Sequence, residues 1–262
     1  MKHPNMVFPL LLACLVGVSA AQAQTSFSLS PVQLNLKIAA GRSGKGTLTV
    51  GNDSYSSVRV QADIENWTIG TIGSDMFPAE GADGFSCREW IQVDDSGFLL
   101  KPGDRREISA KISVPSTAEP GQYLAAVCFK ALAGDTTRDR SGVSIQGQLI
   151  AVVFVTVGNP QAEGSVLDLA VEKKDGRNVF FIRVKNSSRI YLSLTGEIEL
   201  RNAKGKKIFS MDMPEEIVPP LSEGLFPLIV GKELPPGKYQ AGCFLRLPSR
   251  KVLKFNKTID IH

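Results

Sequence analysis

Histidine is nearly missing from this sequence. Of 262 residues, only His3 and His262 carry an imidazole, one in the opening segment and one at the last position. No Ser-His-Asp or Cys-His arrangement can be assembled in the interior. A zinc site built on paired histidines is excluded as well. With no glycine-rich phosphate loop either, the chain does not read as an enzyme, and no cofactor or metal is expected. Charge of a single sign is also missing. There are 30 basic and 26 acidic residues, and removal of an opening segment that contains Lys2 leaves 29 against 26. That surplus is too small to argue for nucleic acid or anionic lipid as a partner. After Val18 no apolar run reaches the roughly 20 residues a membrane-spanning helix needs.

The opening segment itself has the marks of an export signal. Lys2 gives a positive start, Val7 to Val18 an apolar core, and Ala21-Gln22-Ala23 a small-residue cleavage site. Residues 1–23 are expected to be removed, leaving a soluble chain that begins near Gln24. Leu11-Leu12-Ala13-Cys14 only faintly resembles a lipoprotein box, because it sits too early in the apolar core.

Cysteine is scarce. Cys87, Cys128 and Cys243 remain after the signal, an odd number in an oxidising compartment. A Cys87–Cys128 disulfide is the expected pair, since both precede Pro160; three free buried thiols are the alternative.

What the chain does contain is β-forming sequence. The run Gln148 to Gly158 is almost wholly apolar and rich in Val, Ile and Phe, residues that suit a packed, pleated surface. It reads as a strand continuing upstream through Val143 and Ile145. Its odd positions Val143, Ile145, Leu149, Ala151, Val153, Val155 and Val157 form one apolar face. A strand packed in its own core explains such a face, and so does an edge strand offered to a partner. Asn159-Pro160 stops it, because proline lacks an N–H. One β-domain is expected over 24–158 and a second over 159–262.

In the first half, alternation predicts strands over Phe27–Ala40, Gly46–Val50, Val58–Ile64, Cys87–Val93, Glu107–Val114 and Tyr123–Ala131. Thr68–Ser86 and Ala133–Ser141 read as loops. In the second half, strands are predicted over Ser165–Val171, Val179–Lys185, Gly196–Arg201, Lys207–Met211, Leu225–Val230, Tyr239–Leu247 and Val252–Ile261. Asp175-Gly176 and Lys204-Gly205 mark hairpin turns. Trp67 and Trp90 read as core or rim aromatics, and Asp94-Asp95 as a solvated turn rather than a calcium loop.

The two halves echo each other. Val50-Gly51-Asn52-Asp53-Ser54 is matched by Val184-Lys185-Asn186-Ser187-Ser188. Pro120-Gly121-Gln122-Tyr123 is matched by Pro236-Gly237-Lys238-Tyr239. A turn followed at once by Tyr and an apolar strand has the form of the tyrosine corner of immunoglobulin-like sandwiches. Two such matches predict an all-β fold of two tandem immunoglobulin-like β-sandwich domains.

On these features the chain resembles the periplasmic pilus-chaperone superfamily. The likeness rests on Leu29-Ser30-Pro31-Val32, on Gly41 with Leu48-Thr49-Val50-Gly51-Asn52, and on Phe98-Leu99-Leu100-Lys101-Pro102-Gly103. Val114-Pro115, Pro120-Gly121-Gln122-Tyr123 and the apolar strand before Asn159-Pro160 extend it. The resemblance implies a periplasmic protein whose partners are pilins or other β-rich surface subunits. It implies that Val143, Ile145, Leu149, Ala151 and Val153 form a client-binding strand used in β-strand addition. The family also anchors a client carboxylate with a basic pair, one residue on the first strand and one on the last. Asn35 stands at the first of these positions, and no basic residue lies between Gln148 and Gly158. A structural or adhesive envelope module, at the cell surface, is the alternative reading.

Overall fold

The computed structural model describes residues 27–69, 82–132, 147–231 and 233–261. Among the described residues, short alternating segments broken by Gly, Pro and Asn turns give strands and almost nothing else. The first half holds β1 (Phe27–Ser30), β2 (Gln33–Lys37), β3 (Ser43–Asn52), β4 (Val58–Asn66), β5 (Ile91–Val93), β6 (Gly97–Leu100), β7 (Arg105–Ser113), β8 (Gly121–Leu132) and β9 (Gln148–Val157). They form two sheets, β1-β3-β7-β5 and β2-β9-β8-β4-β6, packed face to face. Leu48, Ile108, Phe129 and Val153 are fully buried between them.

The second half holds β10 (Gly164–Lys174), β11 (Arg177–Asn186), β12 (Leu192–Arg201), β13 (Lys207–Val218), β14 (Glu223–Ile229), β15 (Gly237–Arg246) and β16 (Val252–Ile261). Its sheets are β10-β11-β14 and β13-β12-β15-β16. Its separate core is built on Phe180, Ile182, Leu194, Phe226 and Leu245. Asp175 and Gly176 both take positive φ, 51° and 75°, as the two-residue β10–β11 hairpin requires. In β14 the odd residues Leu225, Pro227 and Ile229 face solvent. The main-chain groups of the even residues carry the ladder to β11, as the N–H of Val230 to the carbonyl of Asn178 shows. The missing N–H of Pro227 therefore falls on the outer edge of the sheet, where no ladder bond is lost.

Both tyrosine corners form. Tyr123 Oη donates to the Glu119 carbonyl at 2.9 Å, and Tyr239 Oη to the Pro235 carbonyl at 2.8 Å. The repeated Asn-x-Ser segments build one device twice. Asn52 Nδ2 donates to the carbonyls of Ser56 and Leu100, and Oδ1 accepts from the N–H and hydroxyl of Ser54. Asn186 Nδ2 donates to the carbonyls of Ile190, Val218 and Pro219, and Oδ1 accepts from the N–H and hydroxyl of Ser188. Both asparagines are fully buried, so their amides replace water for backbone groups at sheet ends.

Several local expectations need correction. The predicted strand over Phe27–Ala40 is two strands in different sheets. β1 pairs antiparallel with β3, whereas β2 pairs parallel with β9. The chain crosses between the sheets at Ser30-Pro31, where proline ends the first ladder. The predicted strand over Cys87–Val93 is a 3-10 turn, Arg88–Trp90, followed by β5. The expected Cys87–Cys128 disulfide is not formed: Cys87, Cys128 and Cys243 are free, buried thiols. Cys87 belongs to the first core and lies 3.8 Å from the Val153 carbonyl oxygen. Cys128 alternates with the core residues Val127 and Phe129, so its thiol points to the opposite face of the sheet.

Candidate functional site

The structure separates the two faces of β9. Ala151, Val153, Val155 and Val157 are buried in the first core, and Leu149 is half-buried against it. The inward face is therefore already occupied by the domain's own β-sandwich. Of the sequence-predicted client residues, Ala151 and Val153 are fully enclosed. Val143 and Ile145 lie outside the described residues.

The edge of β9 differs from its faces. β8 pairs with β9 over its whole length, from Gly121↔Val157 to Lys130↔Gln148. β2 covers the other edge only from Val152 to Thr156. The Val152 N–H donates to the Val32 carbonyl at 3.0 Å, so even residues of β9 direct their main-chain groups away from β8. By the same alternation, the N–H and C=O of Ile150 face outward. Among the described residues nothing pairs with that edge over Gln148–Ala151. The cause lies in the first strand, since the chain leaves this sheet at Pro31. Val32, at the point of departure, is 64% exposed.

The outer face of the same sheet carries Ile150, Val152 and Phe154 beside Cys128, Ala126 and Leu124 of β8. All six are apolar or nearly so, and the three β8 side chains are fully buried. Burial pushes the Cys128 thiol up to about 11, with the nearby Glu65 carboxylate adding to the effect. Charge flanks this face at both ends. Lys130 pairs with Glu65 at 2.7 Å and Asp63 at 3.2 Å. On β2, Gln33 Nε2 donates to Asn35 Oδ1 at 2.9 Å, and Asn35 lies opposite Phe154. Lys37 shares their face but pairs with Thr156, six residues along from Ile150 and thus about 20 Å away.

Toward its far end the face meets the second domain. Phe154 packs edge-on against Tyr191, with ring centroids 5.8 Å apart. Arg189 Nε donates to the Pro120 carbonyl at 3.1 Å, its guanidinium pairs with Glu119 at 2.8 Å, and it lies 5.0 Å from the Phe85 ring centroid. The Tyr191 N–H donates to Gln122 Oε1 at 3.1 Å. Sequence reading missed Arg189, Tyr191 and Gln122. The only signal was the proximity of Gln122 to a tyrosine corner.

Other residues singled out in the sequence have structural roles. Trp90 packs on Tyr123 at 4.5 Å. Asp94 accepts the Ser109 N–H at 2.9 Å, and Asp95 pairs with Arg106. Trp67 is half-buried, and Arg246, Arg250, Lys251 and Lys254 are solvent-exposed. No helix among the described residues is long and apolar enough to cross a membrane.

A tandem of immunoglobulin-like sandwiches, with one edge strand partly uncovered, is the class these observations define. The same two-domain β-sandwich fold occurs in the class 5 fimbriae chaperone CfaA, at 13% identity and a TM-score of 0.50. That match covers 89% of this chain and 99% of CfaA. The chain is also similar to the Salmonella enterica SafB chaperone in complex with SafA pilin. There the identity is 14% and the TM-score 0.48, over 90% of this chain and 98% of the other. The Acinetobacter baumannii complex of CsuC with the tip subunit CsuE gives 12% identity and a TM-score of 0.47, over 89% and 98%. No family model matches the sequence, and no curated protein matches it.

Proposed function

We propose that this protein is a periplasmic, non-enzymatic chaperone-like protein that holds surface-fibre subunits by β-strand addition at β9. The observation that supports this reading is the edge over Gln148–Ala151, unpaired among the described residues, with the main-chain donor and acceptor of Ile150 facing outward. An added strand there continues the line of β2, gains backbone hydrogen bonds, and reads register through alternate side chains. The fold shared with a fimbriae chaperone agrees with it. Val143 and Ile145, from the sequence, extend the proposed strand upstream. Ala151 and Val153 serve it from inside, by holding β9 in place.

The test is capture of β-rich subunits from periplasmic extract by the mature protein and by two variants. Ile150→Pro removes the outward N–H without touching the ladder to β8. Val143→Asp plus Ile145→Asp puts charge on the upstream strand. Each variant is first shown to be folded by circular dichroism. Loss of a captured subunit in both folded variants supports the proposal; an unchanged captured set overturns it. The uncharged residues at Asn35 and along β9 favour a second reading, a structural or adhesive envelope module. Recovery of the protein as a stoichiometric component of a surface fibre would establish that instead.

A further inference from the structure

We infer that the outer face of the β10-β11-β14 sheet binds a single anionic amphiphile, a carboxylate on an apolar tail. The site lies in the second domain and does not depend on strand addition at β9. Its shape follows from unequal strand lengths. β14 ends at Ile229, which pairs with Val179. The β10–β11 hairpin runs on beyond that pair and turns at Asp175-Gly176. A hollow of about 560 Å³ lies at this step, within the size range of small-ligand sites. Alternation puts Val179 and Phe181 of β11 on its floor, beside Ile229 and Pro227 of β14. Ile229 is 59% exposed, so the apolar floor continues to the edge of the sheet. A tail laid there takes its own apolar surface and that of the floor out of water.

The wall on the hairpin side is basic. Lys174 and Arg177 line it and face each other in register. The Lys174 ammonium stands 4.6 Å from the Phe181 ring centroid, over the floor. Its ion pair to Glu172 is a long 3.6 Å contact between two exposed side chains, and such a pair is easily exchanged. Arg177 has no ion-pair partner among the described residues, so its guanidinium can take a carboxylate on two parallel hydrogen bonds. Asp175 is the one acid of the described lining. Two cations against one acid leave a single positive charge for a single carboxylate. The same face disfavours a charged bilayer surface. Asp168, Glu172 and Glu223 share it, and a broad anionic plane meets them along with the cations.

The test titrates the mature full-length chain with decanoate by isothermal calorimetry, at low salt and with the amphiphile kept monomeric. Decyltrimethylammonium supplies the same tail with the opposite charge. One decanoate per chain is expected, bound about tenfold more tightly than the cation. Lys174→Gln plus Arg177→Gln should weaken decanoate about tenfold and remove the preference. Ile229→Asp, at an exposed position, should weaken it by a similar factor, by setting a carboxylate beside the tail. Circular dichroism first shows each variant to be folded. Equal binding of the two amphiphiles overturns the inference, because charge then selects nothing. Decanoate binding unchanged in the folded double variant overturns it too, as does the absence of saturable binding. Co-sedimentation with phosphatidylglycerol vesicles that is lost in the double variant, without binding of decanoate, would assign the two cations to a membrane surface instead.

Discussion

The N–H of Gln122 donates to the carbonyl of Arg189 at 2.7 Å, joining the two sandwiches main chain to main chain. The Arg189 side chain answers with a bond to Pro120 and an ion pair to Glu119. Domain two is thus fastened to the tyrosine corner of domain one. Arg189→Ala should cost only about 1 kcal/mol in overall stability, because the ion pair is partly exposed. Its larger effect should be on geometry. Gly121→Ala acts at the same place, with its new Cβ 3.1 Å from the Arg189 carbonyl oxygen. Both variants should raise the radius of gyration in small-angle X-ray scattering. Unchanged scattering from both would show that this contact does not set the angle between the two sandwiches.

The three thiols give a chemical count. In denaturant without reductant, alkylation should add three groups to the mature chain, since Cys87, Cys128 and Cys243 are free. In the native state labelling should be slow at neutral pH, where a buried thiol stays protonated. One added group in the unreduced, denatured chain would restore the disulfide.

The same thiols predict a loss of stability in alkali. Burial pushes Cys87 and Cys243 up to about 12, and Cys128 to about 11, from an ordinary 9.0. Burial also raises the Tyr191 phenol. A group whose folded value is raised binds its proton more tightly in the folded state. Its contribution is fully present below the unfolded value and is lost as pH rises toward the folded one. Urea unfolding should therefore show declining stability above about pH 9, by about 1.4 kcal/mol per pH unit for each thiol affected. A flat profile between pH 9 and 11 would show that these thiols are not enclosed.

Asn52→Ala and Asn186→Ala should each cost about 3 kcal/mol, because each leaves two or more buried backbone groups without a partner. Asn52→Asp should not rescue, since a carboxylate cannot donate to the Ser56 and Leu100 carbonyls. Chemical denaturation reads both, with the first variant altering the transition of one domain and the second that of the other.

Gly196 is the most confined glycine of the second domain. A Cβ there would lie 2.2 Å from the Phe244 carbonyl oxygen and 2.9 Å from a Leu245 methyl. Gly196→Ala should destabilise that domain by about 3 kcal/mol through forced separation of β12 and β15. Gly97→Ala, with nothing within 4 Å, is the control expected to stay close to wild type.

Local chemistry made most of the fold legible in the sequence. Both tyrosine corners, the Asp175-Gly176 hairpin and the Asn-x-Ser echo are signals carried within a few residues. The Cys pairing was not legible, because it depends on which face of β8 each thiol takes. Alternation along β9 showed that one face had to be buried. It could not show that the domain's own core buries it, because that is set by packing against residues far away in sequence. The open edge was hidden for a related reason. It depends on where β2 stops, and only the crossing at Pro31 decides that. The strand was readable from Val, Ile and Phe; its exposed main-chain groups were not.

Pro227 bears on how the molecule behaves in concentrated solution. Leu225 and Ile229 flank it on β14, each about half exposed, and such an edge would ordinarily invite a second chain to zip alongside. Without an N–H in the middle of the row, that zipper has a missing tooth. Two copies meeting at β14 cannot propagate a continuous ladder into a fibre. The protein can thus carry oily side chains on this edge without offering a second chain an unbroken ladder there.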